Sequence, residues 1–270
     1  MKISFIGGGN MGEAIIAALI AHKIAGPEDI SVADVSLERR GYLTQKYGVF
    51  TTDCNLEATK RGEIIVLAVK PQQVDTVARD LRGHLKNNQL VISIIAGKTL
   101  TSLRQGLEHE AIVRAMPNTP AQIGRGMTVW TTTDNVSVAQ RTNAESVLIT
   151  MGCTVYTQNE AVIDMATAIS GSGPAYVFLF LESLIQSGQD VGLTSEQARL
   201  LAIETVLGAT EYARASGKDL AELRRNVTSP GGTTAAALKV FEEDNFGGII
   251  GRAVTAAYQR AQELGQQSLF

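Results

Sequence analysis

Near the start of the chain a short apolar run, Lys2-Ile3-Ser4-Phe5-Ile6, gives way to Gly7-Gly8-Gly9-Asn10-Met11-Gly12, and a helical pattern follows over residues 11–22. This is G-x-G-x-x-G set between a strand and a helix. The first glycine permits a tight turn, the second lets the backbone approach a pyrophosphate, and the third lets helix and strand pack closely. Free N–H groups at the helix N-terminus then face the anion. Out of context the pattern is only a glycine-rich turn. In this context the chain is expected to open as a dinucleotide-binding βαβ unit.

The periodicity of the next residues agrees. Residues 29–33, 63–69, 90–95, 111–115 and 127–131 read as further strands, with 63–69 and 90–95 almost wholly apolar and a helix over 37–47. Continuous apolar strands separated by helices predict a parallel sheet covered on both faces. From about Asp164 the strand signal stops. Residues 174–188, 194–216 and 245–264 are long helical patterns, and 219–225 and 233–243 are shorter ones. Thr194 is an expected N-cap, with Gln197 three residues on. The expected fold is α/β: an N-terminal Rossmann-type doubly wound sheet over residues 1–160, followed by an all-α domain over 161–270. Ala175, Val177, Phe178, Phe180, Leu181, Leu184 and Ile185 cover more than one face of a single helix. So small a helical domain has limited room to bury several such helices, which points to an isologous dimer.

Composition narrows the partners. With 24 Lys+Arg against 27 Asp+Glu and a net charge of -3, the chain has no global attraction for nucleic acid or acidic membranes. Cys54 and Cys153 lie far apart, without metal-ligand spacing, and read as free thiols in a reducing compartment. His22, His84 and His109 form no recognisable zinc or iron pattern, so no metal is expected. The N-terminal apolar run is interrupted by its glycines and Glu13, unlike a secretory signal. The most apolar later segment, 175–185, is short for a bilayer span and contains Glu182. A cytoplasmic protein acting on a small-molecule substrate, with no nucleic-acid or membrane partner, is expected.

Other motifs add chemistry. Asp34 lies 25 residues after Gly9, where a carboxylate can accept hydrogen bonds from an adenosine ribose and so favour NADH. Ser36, Arg39 and Arg40 follow, and arginine can pair with a 2′-phosphate, unless both simply form a solvated helix face. Both cofactors are expected to work, with a modest lean to NADPH. Leu67-Ala68-Val69-Lys70-Pro71 ends a strand at the edge where doubly wound sheets bind ligands. Lys70 there can contact the cofactor, donate a proton, or stand as a surface cation. Ala96-Gly97 and Met116-Pro117-Asn118-Thr119-Pro120 end later strands, and the prolines stiffen the loop around Asn118. Residues 170–176, Ser-Gly-Ser-Gly-Pro-Ala-Tyr, read as a flexible loop with Pro174 at a first helical position. Ser229-Pro230-Gly231-Gly232-Thr233-Thr234 precedes another helix and is either a capped helix start or a carboxylate cradle.

Five segments together resemble pyrroline-5-carboxylate reductase: the glycine motif and residues 67–71, 114–120, 170–176 and 229–234. The resemblance spans nearly the whole chain in the right order. The last two segments are specific to that family; a bare dinucleotide motif is not. The resemblance implies a Rossmann domain joined to a helical dimerisation domain, with dimers that often assemble as a decamer of five dimers. It implies NADPH or NADH as cofactor and reduction of 1-pyrroline-5-carboxylate to L-proline. It further implies cofactor contacts from Ile6, Gly7, Gly8, Gly9, Asn10, Met11, Gly12, Asp34, Ser36, Arg39, Asn55, Ala68, Val69, Lys70, Pro71, Ala96, Gly97 and Asn118. Substrate contacts are implied for Ser229, Gly231, Gly232, Thr233 and Thr234, with the Thr234 hydroxyl on the imine nitrogen as the catalytic group. There is one departure. Several members have His-Pro where this chain has Asp219-Leu220, which bears on the shape of a loop near the substrate and not on the reaction.

A protonated iminium is already a good electrophile, so such an enzyme needs orientation more than a strong acid, and the chain offers anion cradles and hydroxyls but no obvious acid/base pair. Two alternatives fit parts of the same pattern. A hydroxyacid or 6-phosphogluconate-type dehydrogenase would need a catalytic lysine on a helix of the second domain, where only Lys218 and Lys239 occur. A non-catalytic dinucleotide sensor would not need the 229–234 segment.

Overall fold

The computed structural model describes residues 1–266. Eight strands form one sheet: β1 (Ile3–Ile6), β2 (Ile30–Ala33), β3 (Phe50–Thr52), β4 (Ile64–Leu67), β5 (Leu90–Ser93), β6 (Ile112–Met116), β7 (Gly126–Thr132) and β8 (Gly152–Tyr156). Their order is β3-β2-β1-β4-β5-β6-β7-β8. Between and after them run α1 (Asn10–Ala21), α2 (Leu37–Tyr47), α3 (Asn55–Thr59), α4 (Val74–Leu81), α5 (Leu100–Leu107), α6 (Val138–Leu148) and α7 (Ala161–Ala166). Five helices complete the described chain: α8 (Gly173–Asp190), α9 (Ser195–Ser216), α10 (Leu220–Asn226), α11 (Thr233–Glu243) and α12 (Phe246–Gln266). One compact unit comprises Met1–Pro174 with the end of α12 from Ala256; the other is Ala175–Thr255.

The first unit is covered on both sheet faces, as its uninterrupted apolar strands require. Ile64 and Val66 point into one core with Phe5, Ile16 and Trp130, while Ile65 and Leu67 point into the other with Ile6, Val77 and Leu103. The sheet is parallel except at β6–β7. There the tight 3-10 turn Thr119–Ile123 reverses the chain, where a parallel pair would need a long crossover. Strands β3 and β8 carry too weak a pattern to be read from the sequence. Residues 170–176 are not the flexible loop expected. A π-turn over Thr167–Gly171 leads directly into α8, because Ser172 N–H bonds back to the Thr167 carbonyl at 2.8 Å and the Ser170 hydroxyl to Ala166 at 3.0 Å. The Thr194–Gln197 capping box is present as expected.

In the second unit α8 has no fully buried residue, and Phe178 and Leu179 are more than half exposed. The helical run Ala161–Asp190 that contains the short apolar segment is itself long and apolar enough to cross a membrane by length and composition.

Candidate functional site

β1 pairs with both β2 and β4, so the winding of the sheet reverses at β1 and a crevice opens at the strand C-termini. Gly7 turns the chain there at a φ of 99°, and a methyl group on it would stand 2.7 Å from the Ala68 carbonyl oxygen. A methyl group on Gly12 would meet the Gly7 carbonyl oxygen at 2.6 Å, so α1 can lie this close to β1 only with glycine at that position. Gly9 opens α1 without a side-chain cap and has open space beside it. The first N–H groups of α1 are therefore available to an anion.

A groove of about 450 Å³ follows this edge. It brings together Gly7, Gly9, Asp34, Asn55, Ala68, Val69 and Lys70 from the expected set. Ile6 is buried at the end of β1, Asn10 and Met11 start α1, and Pro71 begins the short turn before α4. Sequence reasoning missed Asp53, Thr76 and Asp80, which also line the groove. Thr76 and Asp80 stand four residues apart on α4, a polar stripe opposite its buried Val74, Val77, Ala78 and Leu81, and that spacing was the available signal. Asp80 accepts a hydrogen bond from the Asn55 amide at 2.9 Å.

Ala96, Gly97 and Asn118 stand apart from the lining. Leu264 packs over Gly97. The Asn118 amide donates to the Ser170 carbonyl at 2.9 Å and accepts from Met127 N–H at 2.8 Å, tying three segments together.

The residues after β2 are heavily cross-linked. Asp34 accepts from Gly8 N–H at 2.8 Å and from Ser36 N–H at 2.9 Å, and the Ser36 hydroxyl caps α2 by accepting from Arg39 N–H. The Arg39 guanidinium donates to the Gly8 carbonyl and pairs with Glu13. Arg40 donates to the Asp34 carbonyl at 2.7 Å and lies 3.6 Å from Asp53. Glu13 also accepts from Tyr42, Lys46 and Tyr47. Partial burial tends to raise its pKa, but the hydrogen bonds from Arg39, Lys46, Tyr47 and Tyr42 outweigh that and bring it down to about 2.

This shift has a pH consequence. The folded pKa of Glu13 lies below its ordinary 4.5, so its stabilisation is complete above about pH 4.5 and is lost as pH falls toward 2. After allowance for solvent screening, the contribution is on the order of 1 kcal/mol. Glu13→Gln is expected to lower the unfolding free energy by that amount at pH 7 and by only about a quarter of it at pH 2.5, where the folded-state carboxylate is still mostly ionised. Denaturant titrations at the two pH values check this, and parallel losses at both would contradict it.

Arg114, on β6, is 3% exposed and donates to Glu160 at 2.8 Å and Asp164 at 2.7 Å. Glu160 also accepts from the first N–H of α5, at Leu100. This triad holds α7, the helix leading to residues 167–171, against the sheet.

In the second unit, Gly231 takes a φ of 70° and Gly232 N–H bonds the Ser229 carbonyl at 3.0 Å. α11 starts at Thr233 without a side-chain cap on Gly232, which leaves its first N–H groups unclaimed by any cap. Thr234 is half-buried in that first turn. Among the described residues no cluster of His, Cys, Asp and Glu could hold a metal ion.

Comparison with known proteins extends these observations. Residues 160–264 match the family described as pyrroline-5-carboxylate reductase dimerisation, and residues 2–97 match NADP oxidoreductase, coenzyme F420-dependent. A pyrroline-5-carboxylate reductase from Synechocystis sp. is 43% identical, over 99% of this chain and 99% of that one. The structure of a pyrroline-5-carboxylate reductase from Coxiella burnetii superposes with a TM-score of 0.90 at 40% identity, covering 98% of this chain and 99% of the other. A Plasmodium falciparum pyrroline carboxylate reductase with NADP bound has a TM-score of 0.90 at 31% identity, covering 98% of each chain.

Proposed function

The chain belongs to the pyrroline-5-carboxylate reductase family, and on that premise we propose that it reduces 1-pyrroline-5-carboxylate to L-proline with NADPH or NADH, the last step of proline biosynthesis. The observation that carries this is the full-length relationship, coupled to a glycine-lined groove at the sheet's switch point. The groove fits the cofactor: Gly7 makes the turn, Gly9 leaves room for a pyrophosphate, and the uncapped start of α1 supplies donors. When bound, the reduced dinucleotide supplies the hydride. Asp34 would face its ribose, and Ala68, Val69 and Lys70 would line its course.

The protein's own work is binding and orientation. The N–H groups of Gly232, Thr233 and Thr234 hold the substrate carboxylate, Ser229 and Gly231 shape the turn, and the Thr234 hydroxyl bonds the ring nitrogen. Residues 1–160 thus serve the cofactor, and 161–270 serve the substrate and the dimer. Lys218, in the turn before α10, pairs with Glu222, and Lys239 on α11 pairs with Glu243, so neither supplies the base that the dehydrogenase alternative needs. The decisive assay is oxidation of each cofactor with 1-pyrroline-5-carboxylate. Turnover with a hydroxyacid instead, or dinucleotide binding with no turnover, would replace this reading.

The helical unit is the family's dimerisation module, and the protein is a homodimer. Exposed Val177, Phe178, Leu179 and Phe241 are the apolar surface a second copy would cover. Further assembly into five dimers and a cytoplasmic location without nucleic-acid or membrane partners complete the proposal. Sedimentation across a dilution series is expected to show stability and activity falling together as the dimer dissociates. A fully active species at monomer mass would refute the obligate dimer.

A further inference from the structure

We propose that the groove selects NADH over NADPH, because carboxylates face the adenosine ribose and both neighbouring guanidiniums are already engaged. This rests on the dinucleotide reading above and reverses the lean drawn from Arg39 and Arg40.

The two cofactors differ by a phosphate on the ribose 2′-oxygen. In doubly wound sheets that oxygen is read by the residue ending the second strand, here Asp34. The structure fixes this carboxylate from two sides, by Gly8 N–H on one oxygen and Ser36 N–H on the other. Each oxygen keeps a lone pair for a ribose hydroxyl. A 2′-phosphate in the same place would instead set two anions against each other. Asp53 and Asp80 line the same groove and add to that field. Lys70, the cation among the described lining residues, follows β4, and β1 separates β4 from β2, so its backbone is roughly 10 Å from that of Asp34 across two strand spacings.

The arginines do not offset this. Arg39 is turned toward α1, with its donors on the Gly8 carbonyl and Glu13. Arg40 bonds the Asp34 and Val35 carbonyls and sits beside Asp53. Both are therefore positioning residues. Arg39 anchors α2 to the glycine loop, and Arg40 fixes the backbone that presents Asp34. Their loss should weaken both cofactors alike.

The test compares kcat/KM for NADH and NADPH in the intact protein, beside calorimetric titration of ADP-ribose and 2′-phospho-ADP-ribose. The wild type is expected to favour NADH and the unphosphorylated fragment by about tenfold or more, the scale of one uncompensated like-charge contact. Asp34→Ser should reduce that preference at least about tenfold, and Arg40→Ala should raise both cofactor KM values by similar factors. Equal or tighter binding of the phosphorylated fragment, or an Arg40→Ala effect confined to NADPH, would overturn the proposal. If neither cofactor turns over with 1-pyrroline-5-carboxylate, the catalytic reading fails, yet the two fragment titrations on wild-type protein still decide the specificity.

Discussion

Thr234→Ala is expected to lower kcat/KM for the imino acid by about 10- to 1000-fold, the range for one hydrogen bond that strengthens in the transition state. The dinucleotide Kd should stay nearly constant, because the groove that holds it is built from residues 7–80. The substitution also separates chemistry from folding. Alanine has higher helix propensity than threonine by a few tenths of a kcal/mol, so in the first turn of α11 it should leave thermal stability unchanged or slightly raised. Thr234→Ser keeps the hydroxyl and should restore most of the rate. Wild-type activity in the alanine variant would remove Thr234 from the mechanism.

Arg114→Met is expected to cost about 3 kcal/mol, the low end for breaking a buried ion pair, since Glu160 and Asp164 keep some contact with solvent. For a domain of this size that corresponds to a fall in Tm of roughly 6–12 °C. The cause is specific: two carboxylates lose the guanidinium between them and are left facing each other. Adding Glu160→Gln and Asp164→Asn should therefore recover part of the loss, where a simple packing defect would not respond. Differential scanning calorimetry of the wild type, the single and the triple variant makes the comparison, and the same low Tm in both variants would exclude the electrostatic account.

The groove at the strand ends was largely legible in the sequence because its signals are local. The Gly7–Gly12 spacing, the end of β2 at Asp34 and the end of β4 at Ala68–Val69–Lys70 each follow from a strand followed by a turn. The periodicity of residues 63–69 marked a two-sided strand, and Ile64 to Leu67 do alternate between two cores. Partners that lie far apart in sequence were not legible. Glu13 and Arg39 come together only when α1 and α2 pack on the same sheet, 26 residues apart. Arg114 meets Asp164 across 50 residues. Neither pair leaves a periodic trace, because periodicity records which face a residue occupies and not what it meets there.

What the sequence by itself determined was the class of most elements, the family, and the glycine-lined turn after β1, since these depend on short-range backbone geometry and on apolar spacing. The tertiary structure decided what each polar side chain is free to do. Arg39 and Arg40 look alike, as charges awaiting a phosphate, when read along the chain. Folded, both are bound to backbone carbonyls and carboxylates. A cation's availability depends on every group within hydrogen-bond reach, and those groups are gathered only when the sheet, α1 and α2 have packed.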